Sequence, residues 1–148
     1  MSARSKVPVV ARTLLGLAFT VFGLNFFLHF LPQPPPPPEL MTYVGALMSA
    51  KIMTIVKVVE VAAGLALLGG VFVPLALTLL APIEIGILAT HLAFEPSGLL
   101  IIAVLMALTL YLAWSYRSVF APMLQARVEP TPATTPTSTH AASAAARA

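Results

Sequence analysis

Four long apolar segments alternate with more polar connections along the chain. They cover residues from about 9 to 30, 52 to 69, 71 to 94 and 98 to 116. A helix needs roughly 17–25 residues to cross a membrane, and all four segments have a suitable length. None shows the strict alternation of apolar and polar residues that marks a strand of a membrane barrel. The pattern therefore predicts an all-α membrane protein, a bundle of four transmembrane helices.

The first connection is the longest and has two parts. Five consecutive prolines, Pro34–Pro38, favour an extended polyproline strut, with recognition by a proline-binding domain as the alternative. From residue 39 to 50, Leu40, Val44 and Leu47 recur at helical spacing. This spacing predicts a short helix that lies at the membrane interface or caps the bundle.

Composition supports the membrane assignment and divides the chain. Of the 148 residues, 59% are hydrophobic and only 9% are charged, whereas soluble domains average about 25% charged residues. Residues 1–8 form an N-terminal extension, residues 9–125 the predicted membrane domain, and residues 126–148 a tail rich in Ala, Pro and Thr that we expect to be disordered. There is no cysteine, which excludes disulfides, thiolate nucleophiles and Cys-ligated zinc or iron–sulfur clusters within these residues.

Basic residues set the expected orientation. They lie before or at the start of the first segment and after the fourth: Arg4, Lys6, Arg12, Arg117, Arg127 and Arg147. By the positive-inside rule both ends are expected to be cytoplasmic, in a multi-pass protein of the inner membrane, with Lys51 as the exception. Because topology explains the net charge of +3, no nucleic-acid partner is expected. The first segment is too long for a signal peptide, and no small-residue cleavage site precedes the prolines, so we expect it to be retained.

Six polar residues interrupt three of the apolar segments, each group on one helix face and at a similar depth toward the outer surface. They are Asn25 and His29, Lys57 and Glu60, and Glu84 and His91. Two charges in the second segment cost about 5–7 kcal/mol on an insertion scale, and its large apolar residues return only about 3–5 kcal/mol. These residues are therefore expected to face inward and meet in one polar cluster, the candidate site.

Glycines and one proline are expected to bring these helices together. Gly16, Gly23, Gly64 and Gly86 allow close backbone approach, and Pro82 is expected to kink the third segment beside Glu84.

The polar cluster has several chemical interpretations. It can be a charge-paired network that only fixes helix packing, or a pocket for a quinone-like head group in which His29 or His91 bonds a carbonyl and Glu60 or Glu84 exchanges a proton. Two histidines on different helices also meet the minimum for axial haem ligation. Glu60, Glu84, His29 and His91 have the ligand types of a metal site, but Lys57 beside them disfavours a cation. No metal site, covalently bound cofactor or catalytic residue is therefore assigned.

Four stretches carry a family likeness: "LLGLAFTVFGLNFFLHFLP", "KVVEVAAGLALLGGVFVPLALTLLAP", "APIEIGILATHL" and "YLAWSYRSVFAPML". They resemble the DoxX family of small four-helix membrane proteins over about residues 10–124. The resemblance implies a four-helix bundle, and for some relatives a place in quinol-linked oxidoreductases or thiosulfate-oxidising complexes. It also implies that the family's polar positions are occupied here by Asn25, His29, Lys57, Glu60 and His91.

The chain departs from that family pattern at three positions. An Asn is expected near Gly86 and a basic residue near Val71, and the chain has neither. Glu84 stands where the family is usually apolar.

Together these observations favour an accessory or small subunit of a quinone-linked membrane oxidoreductase, associated with lipid, a quinone and another redox or membrane protein. Because no redox centre can be assigned among its residues, a complete oxidase is not expected. One alternative is a non-catalytic partner that stabilises or assembles other membrane proteins. The other is a small proton-coupled transporter, for which four helices would require a homo-oligomer.

Overall fold

The computed structural model describes residues 3–32 and 34–127, and this part of the chain is helical apart from its connections. The helices are α1 (Ala3–Leu28), α2 (Pro38–Ser49), α3 (Ile52–Gly69), α4 (Val73–Phe94), α5 (Leu99–Ser115) and α6 (Arg117–Phe120). Short 3₁₀ turns cover Pro96–Gly98 and Ala121–Leu124. The predicted all-α fold is confirmed. The predicted disordered tail, from residue 128 onward, lies outside the described residues.

Among the described residues, four helical segments are long and apolar enough to cross a membrane: Lys6–Leu28 of α1, α3, α4, and Pro96–Ser115, which includes α5. The chain is thus a multi-pass α-helical membrane protein. In the bundle α1 packs against α3, α3 against α4, α4 against α5, and α5 back against α1. Because consecutive spanning helices run in opposite directions, the prolines, α2 and the α4–α5 turn share one side of the bundle, called here the loop side. The chain start and residues 116–127 lie on the other, the terminal side.

The helix bounds agree closely with the sequence pattern, and the differences have local causes. Helix α3 spans the expected residues, whereas α1 starts at Ala3 and ends at Leu28, because His29 adopts a left-handed backbone with φ of 52°. Helix α4 starts at Val73, since Gly70 and Phe72 are also left-handed and form the turn. Pro82 lies within the continuous helix α4.

Small residues bring α1 and α3 together. A Cβ atom on Gly64 would lie 2.8 Å from the backbone nitrogen of Thr20, and one on Gly16 would lie 2.8 Å from the carbonyl oxygen of Gly64. Neither neighbour is a flexible side chain, so this crossing requires glycine at both positions.

The apolar core lies mainly toward the terminal side. Each spanning helix contributes one fully buried leucine to it: Leu15, Leu67, Leu80 and Leu112. Close packing is therefore strongest in the half of the bundle that is away from α2.

Helix α2 covers the loop side and fulfils the expectation of a short helix after the prolines. Pro37 has the polyproline-like angles φ −53° and ψ 149°, and Pro38 is already the first residue of α2, so the strut is one residue shorter than expected. Leu40 is buried, and the Tyr43 ring stacks on Phe94 of α4 with centroids 5.5 Å apart. These contacts fix α2 over the gap between α3 and α4.

Candidate functional site

A cavity of about 380 Å³ lies between α3 and α4, beneath α2. Most of its wall is apolar, with Lys57, Glu60, Thr90 and His91 as polar members. The remaining lining residues are Tyr43, Val44, Leu47, Ile52, Met53, Val56, Pro82, Ile83, Gly86 and Ile87. A mostly apolar cavity of roughly 300–1,000 Å³ with a few placed polar groups has the form of a small-molecule site.

The Lys57–Glu60 pair forms the charged part of the wall. The ammonium of Lys57 donates to both carboxylate oxygens of Glu60, at 2.8 and 3.0 Å. The Glu60 side chain is 2% exposed and that of Lys57 is 19% exposed. One helical turn separates the two residues, so α3 alone brings them together. The ion pair neutralises both charges within the span, and one of the three N–H groups of Lys57 remains for another acceptor.

His91 carries a defined proton arrangement. Its Nδ1 atom lies 2.9 Å from the carbonyl oxygen of Glu95, which ends α4. Because a carbonyl oxygen only accepts, Nδ1 carries the hydrogen in this contact, and neutral His91 keeps Nε2 as an acceptor. The ring packs directly on Gly98, where a Cβ atom would collide with it. The α4–α5 turn thus fixes both the position and the tautomer of a cavity-lining imidazole.

Gly86 opens the cavity rather than closing a helix contact. An added Cβ atom at this position would have no neighbour within 4 Å. The expectation that all four glycines sit at close helix approaches therefore holds for Gly16, Gly23 and Gly64, each of which lies against another helix, and not for Gly86.

Asn25 and His29 lie away from the cavity wall. The buried side chain of Asn25 accepts a hydrogen bond of 2.7 Å from the backbone N–H of Leu31, just past the end of α1. His29 is exposed and has the left-handed backbone at that end. Asn25 thus holds the chain as it leaves α1, and the two residues do not join Lys57, Glu60 and His91.

Glu84 belongs to a different contact. It is 3% exposed and accepts a 2.7 Å hydrogen bond from the hydroxyl of Thr109, which is also buried. This bond joins α4 to α5, whereas the cavity lies between α4 and α3. The polar residues expected to form one cluster are therefore divided among three places.

The candidate ligands of a metal ion or a haem are separated in the same way. In the part of the chain that the structure describes, no three His, Asp or Glu side chains are grouped closely enough to hold a metal ion. Of the two histidines considered for haem, His91 lines the cavity and His29 does not.

Sequence reasoning predicted α2 as a capping helix but missed the cavity beneath it and part of the α4 wall. Ile83, Gly86, Ile87 and Thr90 follow the i, i+3, i+4, i+7 spacing of one helix face, a signal that could have located the wall.

Comparison of the chain with known protein families, curated proteins and solved structures yields no match. The fold defines a multi-pass helical membrane protein with a cavity under the short helix α2.

Proposed function

We propose that this protein is a DoxX-like accessory subunit of a quinone-linked membrane oxidoreductase, and that the cavity under α2 binds the quinone or quinol head group. The observation that carries the proposal is an apolar cavity with a buried ion pair and a tautomer-fixed histidine on its wall. A pure packing network has no need of open space beside its charges. The resemblance of the helix sequences to DoxX proteins supports the same assignment.

The polar groups match the two states of such a ligand. Lys57 has one N–H group left after bonding Glu60, and it can donate to a ring carbonyl. The Nε2 atom of neutral His91 can accept from a ring hydroxyl. Glu60 and the Thr90 hydroxyl are already hydrogen-bonded within their own helices, so the Lys57 donor and the His91 acceptor can orient a flat ring without leaving a buried polar group unpaired.

Each residue then has one task. The apolar wall excludes water and holds the ring. Lys57 binds the oxygen and stays paired with Glu60, so its charge is not left uncompensated. His91 can take up a proton at Nε2 when a hydroxyl releases it. A bound quinone supplies two-electron chemistry, and the electrons pass to or from a partner protein in this proposal.

The proposed setting is the inner membrane with the terminal side in the cytoplasm. Lys6, Arg12, Arg117 and Arg127 lie on the terminal side, and the positive-inside rule favours the cytoplasm for it. The cavity then lies beneath the outer surface.

Titration with a short-chain quinone tests the proposal. The melting temperature of the detergent-solubilised protein should rise as the quinone is added. At a quinone concentration 100 times the dissociation constant, the free energy of unfolding should increase by about 2.7 kcal/mol. A tail-matched alcohol without the ring is the control for partition into detergent. Equal shifts with both compounds would remove the quinone assignment and leave a structural or assembly role.

A further inference from the structure

A second recess lies on the terminal side, far from the cavity. It is a groove of about 790 Å³ between the last turns of α5 and the segment 117–124. Its wall includes Leu110, Trp114, Arg117, Ser118, Phe120 and Ala121. We propose that this groove, here called the Arg117 groove, binds an anionic phospholipid, with the phosphate at Arg117 and an acyl chain along α5.

The cationic part of the groove is held in place. The guanidinium of Arg117 lies over the Trp114 ring, 5.2 Å from its centroid, and donates a 3.1 Å hydrogen bond to the Trp114 carbonyl oxygen. Arginine has five N–H donors, so four remain for phosphate oxygens. Ser118 lies exposed on the same wall and adds a hydroxyl. A fixed guanidinium beside a hydroxyl is suited to a phosphate group.

The apolar part of the groove continues the lipid-facing surface. Leu110 is 67% exposed and Trp114 is 70% exposed, both on the outside of α5. Phe120 packs against the core and holds segment 117–124 against the bundle, while Met123 and Leu124 remain exposed. An amphipathic segment with one side packed on the protein and exposed apolar side chains on the other lies at the boundary between head groups and acyl chains. A phospholipid bound here would therefore have its phosphate at Arg117, at head-group depth, and its acyl chain along Leu110 and Trp114.

Charge favours an anionic lipid over a neutral one. The described residues of the terminal side include Lys6, Arg12, Arg117 and Arg127, and none of the four described acidic residues lies there. Those four are Glu39 and Glu95 on the loop side and Glu60 and Glu84 within the spans. Among the described residues, a phosphate on this face thus meets basic side chains and no carboxylate.

Native mass spectrometry of the full chain with phosphatidylglycerol and with acyl-matched phosphatidylcholine tests this proposal. Wild-type protein is expected to prefer phosphatidylglycerol, and Arg117→Gln should reduce that preference by about tenfold or more, because the charge-assisted hydrogen bonds from its guanidinium to the phosphate are lost. Lys6→Gln removes the same charge from the same face outside the groove and should keep the preference. Equal effects of the two variants, or no effect of Arg117→Gln, would overturn the proposal.

Two further measurements keep the test independent of the fold of one variant. Ala121→Trp retains Arg117 but fills the groove, and it should also reduce phosphatidylglycerol binding; unchanged binding would contradict a lipid in the groove. Glycerol 3-phosphate supplies the head-group phosphate without an acyl chain. It should fail to displace phosphatidylglycerol at equal concentration, and effective displacement would show a soluble-phosphate site instead.

Discussion

Lys57 and Glu60 form a bidentate ion pair one turn apart on α3, with the Lys57 nitrogen 2.8 and 3.0 Å from the two carboxylate oxygens of Glu60. The pair borders the cavity, and Glu60 also packs against α1 at Gly23. The pairing of the two side chains explains how α3 can carry two charges within a span. It also places a compensated cation beside space large enough for a small molecule.

Breaking the pair from one side should be more harmful than removing both partners. Lys57→Met leaves Glu60 as a buried, unpaired carboxylate and should destabilise the protein by about 3–5 kcal/mol. The double change Lys57→Met/Glu60→Leu should be less destabilising than Lys57→Met alone. Unfolding in detergent measures both, with the exposed Lys51→Met as a control expected within about 0.5 kcal/mol of wild type. A double variant as unstable as the sum of its single variants would show that the pair is not coupled.

The α1–α3 crossing should reject even a methyl group. Gly64→Ala places a Cβ atom against the backbone of Thr20 and should lower stability by about 1–3 kcal/mol through overpacking. The matched control is Gly45→Ala, on the exposed face of α2, where nothing lies within 4 Å. That change should be neutral or stabilising by up to about 1 kcal/mol, because alanine favours a helix. Comparable melting temperatures for the two variants would argue against close packing at Gly64.

The hydrogen bond between Thr109 and Glu84 should contribute to the packing of α4 on α5. Thr109→Val keeps the shape and removes the donor, and an intramembrane hydrogen bond is worth about 0.6–1.7 kcal/mol. Thr78→Val is the control, since the exposed Thr78 hydroxyl bonds only the Pro74 carbonyl oxygen in its own helix. Thermal unfolding should show a loss for Thr109→Val alone, and equal stability of both variants would mean that this bond carries no packing energy.

The two membrane-end histidines should differ in ligand binding. His91→Phe removes the Nε2 acceptor from the cavity wall and should weaken short-chain quinol binding about fivefold, the value of one neutral hydrogen bond near 1 kcal/mol. His29→Ala should leave the affinity unchanged, because His29 is exposed and does not line the cavity. The dissociation constants of the two variants can be measured from the dependence of their melting temperatures on ligand concentration. A loss with His29→Ala and none with His91→Phe would place the ligand elsewhere.

The bundle itself could be read from the sequence because apolar run length and glycine or proline breaks determine it locally. Helix α3 is the clearest case, ending at Gly69 before the left-handed Gly70. The site could be read only in part. The i,i+3 spacing of Lys57 and Glu60 fixes their contact within one helix, whereas Glu84 and His91 share a face of α4 whose two edges meet different helices. Periodicity along one chain does not tell which neighbouring helix lies at which edge. It therefore groups Glu84 with His91, whereas Glu84 bonds Thr109 of α5.

Asn25 shows the other limit of sequence reasoning. Its i,i+4 spacing to His29 indicated a shared helical face, but α1 ends between them and the amide accepts the N–H of Leu31 instead. A buried amide close to a proline break is as well suited to holding the chain end as to holding a ligand.

The most direct test of the cavity as a quinone site is mass spectrometry of the organic extract of natively purified protein, comparing wild type with Gly86→Leu and Gly45→Leu. Leucine at position 86 enters the cavity without meeting protein atoms at its Cβ position, whereas at position 45 it extends from the exposed face of α2. We expect near-stoichiometric quinone with wild type and Gly45→Leu, and little with a folded Gly86→Leu. Quinone retained equally by all three proteins, or by none of them, would contradict the account.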